Sequence, residues 1–188
     1  GNGIKFDGTG SVRMNNSTDI NIGKHAQRSL SLWFKADKNR PDGKKQVLYE
    51  EGGFRRGLNT YINDDGLLYV GGWDKPGSSP TGWNESSWIT STEKVVDGKW
   101  HHVALVLDGE NKATPNALTA YLDGEKLGSD DGAALASHSN GIALGSIAGQ
   151  TRFHDGVGRG KQGLMGSIDE AQIFNQALTS SQVKSLAS

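Results

Sequence analysis

Ser29-Leu30-Ser31-Leu32-Trp33-Phe34-Lys35-Ala36 alternates small or polar side chains with large apolar ones until Trp33 and Phe34 break the period. Successive side chains of an extended chain point to opposite faces, so this stretch reads as a β-strand with one face in a core and Trp33 among its core residues. Similar apolar bursts run from Lys45 to Glu51, Gly57 to Asn63, Gly66 to Gly71, Trp100 to Asp108 and Ala117 to Asp123. Further bursts span Asn140 to Ile147, Gln150 to Phe153 and Gly163 to Phe174. Turn signals separate them: Gly52-Gly53, Asn63-Asp64-Asp65-Gly66, Asp108-Gly109 and Asp123-Gly124, where Asp-Gly accepts the positive φ of a tight hairpin.

Only the tail reads as helical. In Ala177-Leu178-Thr179-Ser180-Ser181-Gln182-Val183-Lys184-Ser185-Leu186, Thr179 and Gln182 have capping-box spacing, and Leu178, Val183 and Leu186 can pack back on a sheet. Roughly ten or more short strands in one chain are best satisfied by two stacked sheets. The expected fold is therefore all-β, a two-sheet antiparallel β-sandwich with a short C-terminal helix.

A length of 188 residues suits one well-buried core and is short for two, so a single domain over 1–188 is expected. With 20 basic and 21 acidic residues well interspersed, the net charge is -1. Nucleic acid is therefore an unexpected partner, and nothing in the charge pattern suits an anionic membrane. No apolar run approaches a membrane span. The chain has no cysteine, which excludes disulfides and thiolate metal sites and leaves the redox compartment open. The abrupt start at Gly1-Asn2-Gly3 reads as a mature or excised piece of a larger protein.

Three tryptophans, Trp73, Trp83 and Trp88, fall in the Gly-, Pro- and Ser-rich stretch from Gly71 to Trp88. Such a segment is no helix and is hard to bury, because irregular backbone must satisfy its polar groups with water or side chains. Indoles held there are expected near a surface, with Asp74, Asn84 and Glu85 beside them as hydrogen-bond partners, which suits a face that binds sugars or peptide ends. The alternative is that individual indoles only pin the loop onto the sandwich.

Several phrases, taken in order, resemble the laminin-G-like, concanavalin A-like jelly-roll family. They are Ile4-Lys5-Phe6-Asp7-Gly8, Leu30-Ser31-Leu32-Trp33-Phe34-Lys35, Gly98-Lys99-Trp100-His101-His102-Val103-Ala104-Leu105-Val106, Ala120-Tyr121-Leu122-Asp123-Gly124, and the stretch from Gly166 to Thr179. Together they cover essentially the whole chain. The resemblance implies a two-sheet jelly roll of the kind found as carbohydrate-binding or adhesion modules in large secreted or cell-surface proteins. The Gly72 to Trp88 stretch, Ser137-His138 and Arg152-Phe153-His154-Asp155-Gly156 further resemble such domains in bacterial adhesins and polysaccharide-processing proteins. Family members often hold a structural calcium between the first and last strands, and the resemblance places Asp7 and Asp169 there. Backbone carbonyls would have to complete the six to eight oxygen ligands that calcium wants. The competing reading is that both aspartates cap turns.

Sandwich hydrolases carry two or three carboxylates on one face of one strand. Here Glu50-Glu51 and Asp169-Glu170 are adjacent, so in strands each pair is expected to point to opposite faces; only carboxylates from different strands could flank a glycosidic bond. No catalytic residue is assigned. His101 and His102 fall in a strand and read as structural. Arg152, His154 and Asp155 could hold a carboxylate, sulfate or sugar hydroxyl, or form a local staple. Gly156 to Lys161 has no helix after it and reads as a β-β loop rather than a phosphate loop.

The expected function is a non-catalytic polysaccharide-binding module whose site comprises Trp73, Asp74, Trp83, Asn84, Trp88, Arg152, His154 and Asp155. Indoles would stack on sugar faces, and Arg152 would favour an acidic sugar. The other readings are a peptide- or protein-binding adhesion domain and a structural spacer within a surface protein.

Overall fold

The computed structural model describes residues 3–38, 43–77 and 79–188; Gly1 and Asn2, quoted above, and Ser78, within the Gly71 to Trp88 stretch, lie outside them. Two antiparallel six-stranded sheets stack on one another. Numbered in chain order, the first contains β1 (Ile4–Asp7), β14 (Met165–Phe174), β3 (Gln27–Ala36), β8 (His101–Asp108), β9 (Thr114–Leu122) and β10 (Glu125–Gly132), side by side in that order. The second contains β2 (Val12–Met14), β11 (Ile142–Leu144), β4 (Gln46–Gly52), β5 (Arg56–Ile62), β6 (Leu67–Asp74) and β7 (Ser86–Lys94). The remaining strands, β12 (Gln150–Phe153) and β13 (Gly156–Arg159), pair only with each other. The non-consecutive order makes both sheets share a core built from alternate residues, as a jelly roll requires.

In β3 the period-two pattern runs through to its end. Leu30, Leu32, Phe34 and Ala36 are all buried and join Val103, Leu105 and Leu107 of β8 and Leu48, Leu58, Leu68 and Val70 of the opposite sheet. Trp33 belongs to the other face and is only half-buried, which corrects its expected place in the core. Its indole meets His102 edge-on at 5.5 Å and donates through Nε1 to the Leu186 carbonyl at 3.2 Å. That outer face is covered by the helix α1 (Ser180–Leu186), where Leu178 and Val183 pack on Ala104, Val106 and Tyr121. Thr179 caps α1 through the expected reciprocal bonds: the Gln182 amide donates to Thr179 Oγ1, and the Thr179 amide donates to Gln182 Oε1.

Four strands depart from the expectation: β2, β7 and β10, which were not marked, and β13, where Gly156 to Lys161 was read as a loop. The Gly71 to Trp88 stretch is the end of β6, a short connection and the start of β7, so Trp73 and Trp88 are strand residues. Strand β10 has a half-exposed, polar sequence that carries no apolar alternation. It lies against β7 at the open edge of the sandwich, where Asp130 Oδ2 accepts the Trp88 amide at 3.0 Å and the Asp131 carbonyl accepts the Ser87 hydroxyl at 2.5 Å.

Candidate functional site

Alternation along β5 and β6 places Asn59 and Tyr61, and Tyr69, Gly71 and Trp73, on the face of the second sheet that points away from the core. Register fixes which of them meet: Tyr61 is opposite Tyr69, Gly57 opposite Trp73, and Gly71 opposite Trp88 of β7. The result is a strip of rings. Trp73 and Trp88 stack at 6.0 Å, Trp88 meets Tyr61 edge-on at 5.8 Å, Tyr61 stacks on Tyr69 at 5.3 Å, and Tyr69 stacks on His154 at 4.2 Å. Glycine makes room for the indoles. A Cβ on Gly71 would sit 2.1 Å from Trp88 Cε3, and one on Gly57 would sit 2.9 Å from Trp73 Cζ2.

The tryptophans divide by burial. Trp73 is fully buried, its Nε1 donating to the Gly53 carbonyl at 2.9 Å. Trp83 is buried on the opposite face, inside the main core, where a Cβ on Gly72 would meet its ring at 2.3 Å. Both were expected near a surface, and neither ring is open to a ligand. Gly57 and Gly72 are the physical reason, since each lacks the Cβ that the ring would meet, 2.9 Å from Trp73 Cζ2 and 2.3 Å from Trp83 Cη2. Trp88 alone of the three is half-exposed, and its buried Nε1 has no hydrogen-bond partner.

The polar members also separate. Asp74 is buried, 3.4 Å from Arg56 Nε; burial pushes its carboxyl above the ordinary value against the pull of Arg56. Asn84 is exposed on the β6–β7 connection, where its Oδ1 accepts the Gly77 amide at 3.3 Å.

The β12–β13 hairpin lies over β4 and β5. Thr151 and Phe153 point down to the sheet and are buried, Phe153 meeting Tyr61 edge-on at 4.6 Å. Arg152, between them in an extended strand, therefore points away from the strip; its carbonyl accepts Asn59 Nδ2 at 2.8 Å. This corrects the expectation that Arg152 and His154 act on one rim. His154 does join the strip, since the Tyr61 hydroxyl accepts its backbone amide at 3.1 Å and lies 2.5 Å from its Nδ1. Burial pushes the Tyr61 phenol well above its usual range, so the hydroxyl stays protonated and donates to Nδ1. A neutral His154 then carries its hydrogen on Nε2. Asp155 binds Lys45 Nζ at 2.8 Å. Burial works to raise its carboxyl, but the hydrogen bond and charge of Lys45 outweigh it and hold the group below its ordinary value.

Glu50 and Glu51 point opposite ways, as expected. Glu50, opposite Asn59, is on the strip's side of the sheet, buried, with Oε1 accepting the Ala148 amide at 2.6 Å. Burial raises it to about 8. Glu51, opposite Leu58, faces inward, with His138 Nε2 3.5 Å from Oε2. Asp169 and Glu170 do not separate in this way. A bulge breaks the β14–β3 register between Asp169 and Gln172, and Glu170 takes a φ of 48°. Both residues consequently line one shallow pocket with Trp33 and Trp100.

Calcium shared by Asp7 and Asp169 does not fit this arrangement. Asp7 is opposite Met165, and Asp169 lies four residues further along β14, about 13 Å away at the rise of a strand. Asp7 instead closes a turn, accepting the Thr9 amide at 2.9 Å and hydroxyl at 2.7 Å. Among the described residues no group of three or more His, Asp or Glu side chains is arranged to hold a metal ion.

Sequence alone pointed to Trp88 and His154 but missed Tyr61, Tyr69 and Asn59. Their signal was the alternation of Asn59 and Tyr61 with core-facing Leu58, Thr60 and Ile62.

Strand order, stacked sheets and the terminal helix define a jelly-roll sandwich of the concanavalin A type. The chain belongs to the concanavalin A-like lectin/glucanases superfamily, whose laminin-G-type family model matches residues 6–184. Sushi, von Willebrand factor type A, EGF and pentraxin domain-containing protein 1 of Rattus norvegicus is 32% identical over 135 residues, 69% of this chain. The Mus musculus protein of that name is 32% identical over 137 residues. The chain spans about 3% of the length of these relatives. Among solved structures, domain 4 of AbnA, an extracellular arabinanase from Geobacillus stearothermophilus, in complex with arabinotriose, matches with a TM-score of 0.66. It is 21% identical, and the match covers 99% of this chain and 76% of that one. The CBM40 of the Ruminococcus gnavus IT-sialidase bound to alpha2,3 sialyllactose also matches at 0.66, with 18% identity over 99% of this chain and 96% of that one. Among the described residues no helix is long and apolar enough to cross a membrane.

Proposed function

We propose that this chain is a non-catalytic polysaccharide-binding module of an extracellular or cell-surface protein, and that it takes glycan on the aromatic strip of its second sheet. The observation that carries this reading is the state of Trp88: a half-exposed indole, backed by the buried Trp73, in line with Tyr69 and the exposed His154. A rigid ring floor with polar atoms at its edge suits the C–H faces and hydroxyls of sugars. The His154 Nε2 hydrogen, on an exposed residue, is a donor for hydroxyl oxygens. The sialyllactose-bound and arabinotriose-bound proteins of the same fold lend support by analogy only.

The non-catalytic part rests on the carboxylates. Glycoside hydrolysis uses a pair roughly 5–9.5 Å apart flanking the bond. Glu50, on the strip's side of the sheet, is wholly buried, and its neighbour Glu51 faces the sandwich interior, so the two do not flank one ligand.

A glycan array followed by calorimetry on the best ligand tests the reading. Binding of the parent protein, lost in Trp88→Ala and in His154→Ala while both variants remain folded, is the expected result. New reducing ends after long incubation would contradict the non-catalytic part. Binding to peptide libraries with none to glycans would make the module a protein-binding adhesion domain.

A further inference from the structure

A second site lies where the strip runs out, at the β4–β5 turn. Gly53, Phe54, Arg55 and Arg56 of that turn face Ser137 to Asn140 of the β10–β11 connection across a cleft of about 380 Å³. No acidic side chain lines it. Phe54 is 39% exposed. The Arg55 guanidinium and the Lys75 ammonium lie 5.8 and 5.9 Å from the centre of its ring. Arg56 is anchored from behind by Asp74 at 3.4 Å and donates to the Ser137 carbonyl at 3.4 Å. Buried His138 also lines the cleft. Its Nδ1 lies 3.0 Å from the Ala136 carbonyl, and its Nε2 lies 3.5 Å from Oε2 of the buried Glu51.

The cleft is held in shape without a ligand. Gly52 turns with a φ of 100°, the Gly53 amide donates to the Arg56 carbonyl at 2.9 Å, and the Lys75 amide donates to the Arg55 carbonyl at 2.7 Å. Trp73 Nε1 fixes the Gly53 carbonyl from below. The carboxylates that balance the local charge, Asp74 and Glu51, are both buried behind the lining. Positive charge is thus presented at the mouth and negative charge withheld.

From this geometry we infer that the cleft binds the carboxylate of an acidic sugar. Arg55 and Arg56 meet the carboxylate with charge-assisted bonds, the Phe54 ring offers an apolar edge to the sugar's C–H groups, and Ser137, Ser139 and Asn140 serve its hydroxyls. A sugar is favoured over a peptide terminus because the lining joins an exposed ring to several small hydroxyl and amide side chains. The cleft shares no ligand-facing residue with the strip, and it stands or falls independently of the strip.

The test compares tri-galacturonate with its methyl ester by calorimetry and by amide chemical shifts, on the parent chain and on Arg55→Gln and Phe54→Ala. Both substituted side chains are exposed, so the fold is retained; Arg56→Ala would strand buried Asp74 and is avoided. The acid should bind, with shifts at Phe54, Ser137 and His138, and the ester should bind about ten- to hundredfold more weakly, the size of a lost charge-assisted bond. Arg55→Gln should erase that preference and Phe54→Ala should weaken both ligands, while Trp88→Ala should leave the preference intact. Equal binding of acid and ester, unchanged binding in both variants, or equal displacement by inorganic phosphate or a peptide C-terminus would each overturn the inference.

Discussion

Trp73 and Trp88 are stacked with their planes 15° apart, one wholly buried and the other half-exposed, so a single aromatic pair joins a core ring to one open to solvent. Trp73→Ala removes a large buried ring and an Nε1 bond to the Gly53 carbonyl, and should cost about 3–5 kcal/mol of stability. Trp88→Ala should cost less stability but weaken glycan binding by about 1–3 kcal/mol. Denaturant unfolding and calorimetry on both variants check the division. Equal stability losses would contradict it.

Gly71→Ala tests the recess beneath the strip without altering an aromatic residue. Its methyl group would meet the Trp88 ring at 2.1 Å and the Ser87 carbonyl at 2.6 Å, so the indole must move. Overpacking of this kind costs about 1–3 kcal/mol, and glycan affinity should fall along with the stability. Trp88 fluorescence should change with it, since the ring leaves its stacked position on Trp73.

Trp33 and Trp83 reverse the ranking that their sequence contexts suggest. Trp83, from the Gly- and Pro-rich stretch, is buried in the main core, and Trp83→Ala should cost about 3–5 kcal/mol. Trp33→Ala loses a half-buried ring and its bond to Leu186, and should cost less. Thermal unfolding of the two variants side by side gives the order directly.

Glu50 predicts a pH dependence. Burial raises its folded-state carboxyl from 4.5 to about 8, so between those values the native state holds a proton that the unfolded chain has released. Stability is therefore fully present below about pH 4.5 and declines as pH rises to about 8, by about 1.4 kcal/mol for each tenfold difference in acidity as an upper bound. Glu50→Gln should flatten the decline and be the more stable protein at pH 8 to 9. A parallel decline in both proteins would remove Glu50 as its cause.

Period-two alternation made β3, β8 and the hairpin strands of the second sheet legible, because each buries one face and carries its Gly or Asp-Gly turn beside it. Strand β10 escaped because a half-exposed edge strand buries too little to need apolar alternation. Strand β7 escaped because its Trp88-Ile89 pair interrupts the period, and Gly and Pro before it suggested continued loop. The site was legible in part. Trp88 and His154 were correctly marked as aromatic or polar groups near the surface, but burial of Trp73 and Trp83 depends on which glycine stands opposite each ring. That is a property of register, and local sequence does not carry it. Arg152 was misplaced for a related reason: in a continuous strand it would share a face with His154, two residues on, but β12 ends at Phe153 and the turn that follows takes His154 to the strip.

Because β12 and β13 form ladder pairs only with one another, neither large sheet depends on the hairpin for a strand. It touches the sandwich through a few plugs, chiefly Phe153 and Thr151, and delivers His154 to the strip through Tyr61. Such an element is a natural cassette: its tip and outward positions can be shortened, extended or randomised while the plugs are kept. A display library at the exposed positions 154, 155, 157, 159 and 161, sparing Gly158, whose Cβ would sit 2.4 Å from the Phe153 ring, would test whether the hairpin sets ligand choice without re-solving the folding problem.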